Sequence, residues 1–160
     1  MQHALASRSL VLSAMPAPCP AVHIAFYLWY GTPAVDGEWK HWDHATLPHW
    51  TDAMNKRFKP GVKAAPPDRP HSPFYPERGL YSSADNATLR AQMLELAEVG
   101  VDSVMLSWWG QGDANIRRDS QGVNTDPLVP RVLDAAAAAG MKVSWHLEPY
   151  GGRTPLTIEA

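Results

Sequence analysis

The chain has a single cysteine, Cys19, in 160 residues. No disulfide can therefore close within it, and a thiolate-rich metal centre is excluded. No run approaches the roughly 20 consecutive apolar residues that a membrane-crossing helix needs. An excess of one charge is also missing: 14 Lys and Arg stand against 16 Asp and Glu, a formal net charge of −2. The basic residues are scattered apart from Arg117-Arg118, so the sequence carries no electrostatic footprint for a nucleic acid or an anionic bilayer. What it has instead is ring and turn chemistry: seven Trp, seven His and 15 Pro.

Residues 1–21 hold a short apolar patch (Leu10, Val11, Leu12) behind Arg8. That is a weak signal-peptide pattern, and the stretch reads as an N-terminal extension without fixed structure. The folded domain is expected over 22–160. Three runs there have strand character. Val22–Tyr30 is apolar and aromatic and stops at Gly31, Val101–Trp109 stops at Gly110, and Met141–Tyr150 stops at Gly151-Gly152. Between them, Asn86–Val99 and Asp126–Ala139 place apolar residues at helical spacing, closed by Gly100 and Gly140 as C-caps. Asn86-Ala87-Thr88 fits a glycosylation sequon, but a helix N-terminus capped by Asn86 or Asp85 is the stronger reading. Strands alternating with helices argue for an α/β fold of parallel βαβ units, with the strand C-termini on one rim.

That rim is where α/β folds build their sites. Tyr30, Trp108, Trp109, His146, Glu148 and Tyr150 are expected to converge there. Strand alternation groups Trp109 with Ser107, Met105 and Ser103, the smaller and more polar face, and groups Trp108 with Leu106 and Val104. Trp109 is thus expected to face inward and Trp108 to face the helices. His146 and Glu148 share a face, a proton-transfer group beside a carboxylate; the plain alternative for Glu148 is acceptance of backbone N–H bonds in the following turn. Asp113, in the loop after the second strand, is the other acid in reach of this rim.

The first loop, 31–85, is far longer than the usual connection of about 2 to 6 residues. It holds Trp39, His41, Trp42, Asp43, His44, His49 and Trp50, then a proline-rich run from Pro60 to Pro76. Proline supplies stiffness, so a fixed wall is expected. The histidine spacing matches no standard zinc ligand set, and no metal is assigned. Tryptophan and histidine interspersed with aspartate suit a sugar, whose C–H faces stack on indole while its hydroxyls need fixed acceptors.

These stretches resemble a known family, glycoside hydrolase family 99, the endo-α-mannosidases and endo-α-mannanases. The resemblance is carried by Phe26-Tyr27-Leu28-Trp29-Tyr30-Gly31, Asp36-Gly37, His41-Trp42-Asp43-His44, Phe74-Tyr75-Pro76 and Tyr81-Ser82-Ser83. It continues through Gly100-Val101, Leu106-Ser107-Trp108, Thr125-Asp126, Leu128-Val129-Pro130 and His146-Leu147-Glu148-Pro149-Tyr150, in order, from about residue 22 to 153. It implies a (β/α)8 barrel, retaining endo-cleavage of α-mannosidic bonds through a 1,2-anhydro sugar, a mannose-containing glycan as partner, no cofactor, and a Golgi or secretory setting. Membrane association would then come only through a segment outside this sequence. The substrate-contact positions it implies are Tyr30, His41, His44, Trp108, Trp109, His146, Glu148 and Tyr150.

The family's two key glutamates lie in a late Glu-x-x-Glu motif, and no such segment occurs before Ala160. Glu95 and Glu98 have the spacing but fall on a helix whose other face is core, and they read as solvated charges. A complete barrel usually takes about 250 residues, and a helix begins at Thr154-Pro155 close to the end. The chain is therefore expected to be the N-terminal part of a barrel, about three βα units, with no catalytic residue of its own and the catalytic pair expected C-terminal to Ala160. The remaining readings are a catalytically silent carbohydrate-binding remnant and a structural α/β domain without ligand.

Overall fold

Strand β2 (Ser103–Trp108) lies between β1 (His23–Phe26) and β3 (Lys142–Leu147) in a three-stranded parallel sheet of order β1-β2-β3. The computed structural model describes residues 21–112 and 115–155. Cys19, Asp113, Ala160 and the continuation of the helix expected after Thr154-Pro155 lie outside the described residues. Short helices α1 (Pro33–Asp36) and α2 (Asp52–Phe58) occur in the first loop; α3 (Asn86–Glu98) leads into β2, and α4 (Val129–Ala138) into β3. None of the described helices is long and apolar enough to cross a membrane.

The register aligns Ile24 with Val104 and Val143, and Phe26 with Leu106 and Trp145. One face of the sheet is thereby apolar across all three strands. Val104 and Leu106 are fully buried there against Leu89 and Met93 of α3 and Val132 and Ala136 of α4, with Leu28 and Met141 closing the cluster. Each such side chain contributes roughly 1.5 to 3 kcal/mol by leaving water, so this layer holds sheet and helices together. The opposite face carries Ser103, Met105 and Ser107, beside Ser144 and His146 of β3.

Three expectations need correction. The first strand ends at Phe26, not Tyr30, because Tyr30 exchanges its backbone bonds with Ser83: its N–H donates to Ser83 Oγ at 3.2 Å and its carbonyl accepts from Ser83 N–H at 2.8 Å. The helix expected from Asp126 begins as a 3-10 turn, Asp126–Leu128, before α4; Pro127 and Pro130 supply no N–H there, which delays the regular ladder. The first loop is braced by more than proline, since Gly31 pairs with Lys40, Ala45 with Lys63 and Ala65 with Arg69. At α3 the cap is Asp85, whose carboxylate accepts from Thr88 N–H at 3.1 Å and Ala87 N–H at 3.2 Å. The Thr88 hydroxyl, with these N–H groups, holds that carboxyl below its ordinary 3.8 against partial desolvation. Glu98 is exposed, and Glu95 pairs with Arg78 on the surface.

Among the described residues no further strand pairs with the outer edges of β1 and β3. Ile24 is 40% exposed at one side and Trp145 45% at the other. Apolar edges of this kind attract other apolar surface. The chain is expected to enhance the fluorescence of a hydrophobic dye and to self-associate with rising concentration in sedimentation; a dye-blind monomer at all concentrations would show these edges to be covered.

Candidate functional site

Beyond β3 the ladder runs one residue further, because Glu148 N–H donates to the Trp108 carbonyl at 3.0 Å. This fixes Glu148 beside the end of β2. Ser107 donates its hydroxyl to Glu148 Oε1 at 2.7 Å, and Ser107 itself is only 3% exposed. The other oxygen, Oε2, stands 3.6 Å from His146 Nε2, beyond good hydrogen-bond length. One carboxylate oxygen is thus held from below while its twin meets an imidazole whose side chain is 54% exposed. The alternation that groups Ser107, His146 and Glu148 is the one the sequence shows. Trp109 follows Ser107's neighbour at the strand end, half-buried, and its Nε1 is a buried donor without a partner among the described residues.

Trp108 takes the other side, as expected. Its Nε1 donates to Asp126 Oδ1 at 2.9 Å and its ring meets Trp145 and Tyr150 at 5.5 and 6.1 Å. Tyr150 is buried, with the Arg117 guanidinium 4.6 Å above its ring. Gly110 passes so close that a Cβ there would lie 3.1 Å from the Tyr150 ring. The expected convergence of six side chains is therefore divided: His146 and Glu148 meet beside Ser107 at the strand ends, Trp108 and Tyr150 pack beneath the loop that follows β2, Trp109 stands half-buried just past β2, and Tyr30 belongs to a separate cluster.

A second cluster forms at the end of β1. Tyr27, Trp29 and His41 stack in a column with centroid spacings of 4.3 and 4.6 Å. Tyr30 lies flat on Trp42 at 4.0 Å, and Trp42 Nε1 donates to the Tyr81 carbonyl at 2.8 Å. Trp42 is buried, so this ring of the loop is packing and not an open sugar platform. Desolvation, with Tyr30 beside it, raises the Tyr81 phenol above 10.0.

His41 adopts φ 58°, unusual for a side-chain-bearing residue, and its Nε2 lies 2.7 Å from Asp119 Oδ2. Asp119 also accepts from Gln121 N–H at 2.8 Å and Val123 N–H at 2.9 Å. Burial pushes the Asp119 carboxyl up, but the His41 bond, the two N–H groups and the His41 charge outweigh it and leave it below its ordinary 3.8. His44 Nε2 meets Gln121 Nε2 at 2.8 Å, and its ring stacks on His71 at 4.8 Å. Burial, then His44 and His41, lower the His71 imidazole below 6.5. His41 and His44 thus tie the first loop to the second, and His41 lines a polar cleft of about 400 Å³ together with Lys40, Asp43 and Asn124. Among the described residues no group of three or more His, Cys, Asp or Glu is placed to hold a metal ion.

Residues 20–160 match the family model described as Glycosyl hydrolase family 99. The chain belongs to this family. Its relatives include the glycoprotein endo-alpha-1,2-mannosidase-like protein of Mus musculus, 40% identical over 137 residues that make up 86% of this chain and 29% of the relative. The glycoprotein endo-alpha-1,2-mannosidase of Xenopus laevis is 38% identical over 149 residues, 93% of this chain and 32% of that protein. The solved GH99 endo-alpha-mannosidase from Bacteroides thetaiotaomicron superposes with a TM-score of 0.64 at 34% identity, covering 85% of this chain and 36% of that one. This family 99 chain therefore spans about a third of the length of the relatives it matches.

Two functional groups escaped the sequence. Asp119 stands in an ordinary-looking loop 78 residues from His41, and nothing local marks it. Ser107 was visible only as a face partner of Trp109. Chemically, the strand ends offer one carboxylate held in one orientation beside one imidazole, with the Trp109 indole at the end of β2. That set can bind and orient a polyhydroxylated ring; hydrolysis by paired carboxyls needs a second acid about 5 to 9 Å across the bond.

Proposed function

We propose that this chain forms the first three βα units of a (β/α)8 barrel of an endo-acting α-mannosidase and carries part of its sugar-binding surface. The observation that supports this best is the Ser107–Glu148–His146 cluster at the strand ends of a family 99 chain, with Trp109 following at the end of β2. Glu148 accepts a sugar hydroxyl through Oε2, His146 lies beside it, and Trp109 offers a ring face and an unpaired N–H. Tyr30, His41 and His44 form the neighbouring wall. Trp108 and Tyr150 support the site from beneath. The acid and the base come from beyond Ala160, outside these 160 residues, and cleavage is retaining through a 1,2-anhydro sugar, as the family resemblance implies. The glycan is of the mannose-containing N-glycan or mannan type, and the setting is the secretory pathway at the Golgi. A silent carbohydrate-binding remnant is favoured to the extent that Glu148 is the only carboxylate placed beside Ser107 among the described residues.

Incubation of the chain with an α-1,2-linked glucosyl-mannose glycan is expected to give no product by mass spectrometry, whereas titration with that glycan shifts the tryptophan fluorescence saturably. Trp109→Ala and Glu148→Gln should each weaken binding by about tenfold, the loss of one stacking or charge-assisted contact. Ser107→Ala should weaken it less and Ser107→Thr hardly at all, because a hydroxyl at that place still orients Glu148. Turnover by the chain alone defeats the reading, and a fluorescence response that ignores all three positions removes this site.

A further inference from the structure

A second cavity lies in the first loop, between α2 and the segment 62–73, with a volume of about 560 Å³. It is no part of the sugar site above. Phe58, Val62 and Pro70 give it an apolar lining. Arg57, Lys59, Lys63 and Arg69 also line it, and no Asp or Glu does. Of these cations only Lys63 has a carboxylate partner, Asp43 at 2.9 Å. Among the described residues none lies within ion-pair distance of Arg57, Lys59 or Arg69.

In a chain whose net charge is −2, three cations around one cavity without a carboxylate partner among the described residues, Arg57 lying 5.1 Å over the Phe58 ring, call for a reason. Arg57 has a partial one, since a cation at the C-terminal turn of α2 complements the helix dipole. Lys59, the C-cap of α2, shares that dipole but sits at φ 46°, a left-handed conformation that glycine or asparagine takes at lower cost. Arg69 belongs to neither the helix nor its cap; among the described residues its guanidinium makes a long bond of 3.4 Å to the Lys63 carbonyl. Mutual repulsion among these side chains is relieved when an anion enters.

We propose that this cavity binds a phosphate monoester carried on a compact organic body. A carboxylate needs one cation, whereas a phosphate dianion matches several, and guanidinium groups meet its oxygens in pairs. The apolar lining takes the body of the ester, such as the C–H face of a sugar ring. A soluble sugar phosphate and a phosphomonoester lipid headgroup share this chemistry, and the experiment separates them.

Calorimetric titration of the chain with glucose 1-phosphate, inorganic phosphate and glucose is set beside flotation with phosphatidylcholine vesicles doped with phosphatidic acid or with phosphatidylserine. Saturable binding of glucose 1-phosphate, at least about tenfold tighter than glucose and weakened about tenfold or more by Lys59→Gln with Arg69→Gln, supports the site with a soluble ester. Capture on phosphatidic acid vesicles that the same double variant abolishes, with no binding of glucose 1-phosphate, supports it with a lipid source. Equal binding of inorganic phosphate and the ester, capture on both anionic lipids alike, or indifference to the double variant overturns it. These substitutions are on exposed side chains, and an unchanged circular dichroism spectrum checks that the fold persists. Trp109→Ala is expected to leave ester binding unaltered, which keeps this outcome separate from that of the sugar site.

Discussion

Trp42→Ala is expected to lower the stability of the chain by about 3 to 5 kcal/mol, the range for removing a large aromatic from a packed interior. Trp42 is 2% exposed, stacked on Tyr30 at 4.0 Å and met edge-on by Tyr81 at 5.4 Å. Its Nε1 is also the donor to the Tyr81 carbonyl. The substitution therefore opens a cavity and orphans an acceptor in one step. Because Trp42 joins the end of β1 to the turn before α3, the loss should fall on the whole first loop. Urea unfolding measures the stability change, and limited proteolysis should cut the variant within 31–85 sooner than the parent. Trp42→Phe should recover most of the packing and leave a deficit of about 1 kcal/mol for the lost hydrogen bond. A Trp42→Ala chain within about 1 kcal/mol of the parent, no more than one ordinary hydrogen bond, would mean that the Tyr30–Trp42–Tyr81 packing does not hold the loop.

Asp119→Ala is expected to cost about 2 to 4 kcal/mol, because it strips His41 and the N–H groups of Gln121 and Val123 of a shared acceptor in a buried place. Asp119→Asn keeps the shape and one acceptor oxygen and should recover roughly half of this. The pH dependence supplies an independent check. The folded Asp119 carboxyl titrates below its ordinary 3.8, so the unfolded chain binds the proton more readily; the stability Asp119 contributes is present above that value and is lost as pH falls through the folded one. His71 acts in the same direction at a higher pH: its folded imidazole resists protonation relative to the ordinary 6.5, so acidification below 6.5 favours the unfolded chain. The parent should lose stability first from about pH 6.5 downward and again below about pH 4. Asp119→Asn should flatten only the second limb and His71→Asn only the first. If both variants retain the parental profile, neither group sets it.

The two expected costs fall on residues the sequence treated very differently. Trp42 was conspicuous but stood among candidates for sugar stacking, because a tryptophan in a polar loop looks available for a ligand. Its burial depends on Tyr30 and on Tyr81, 39 residues further along, and no local pattern announces a partner at that distance. Asp119 had no motif around it at all. By contrast the side taken by Trp108 was legible, because strand residues alternate between faces and its companion Leu106 is apolar while Ser107 is not. The same alternation put His146 with Glu148, and the hydrogen bond from Ser107 came with it once β2 and β3 paired in register.

The sequence by itself determined the three strands, the two longer helices between them, the apolar face of the sheet and the pairing of His146 with Glu148, since periodicity and capping act over a few residues. Tertiary structure decided that β1 stops at Phe26, that Trp42 is interior, that Tyr150 is roofed by Arg117, and that His41 and His44 bind the first loop to the second. It also folded the stretch 57–69 so that its four cations, Arg57, Lys59, Lys63 and Arg69, line one cavity. The physical reason is range: backbone sterics and side-chain alternation are written locally, whereas burial and charge pairing depend on which distant segment the folded chain brings alongside.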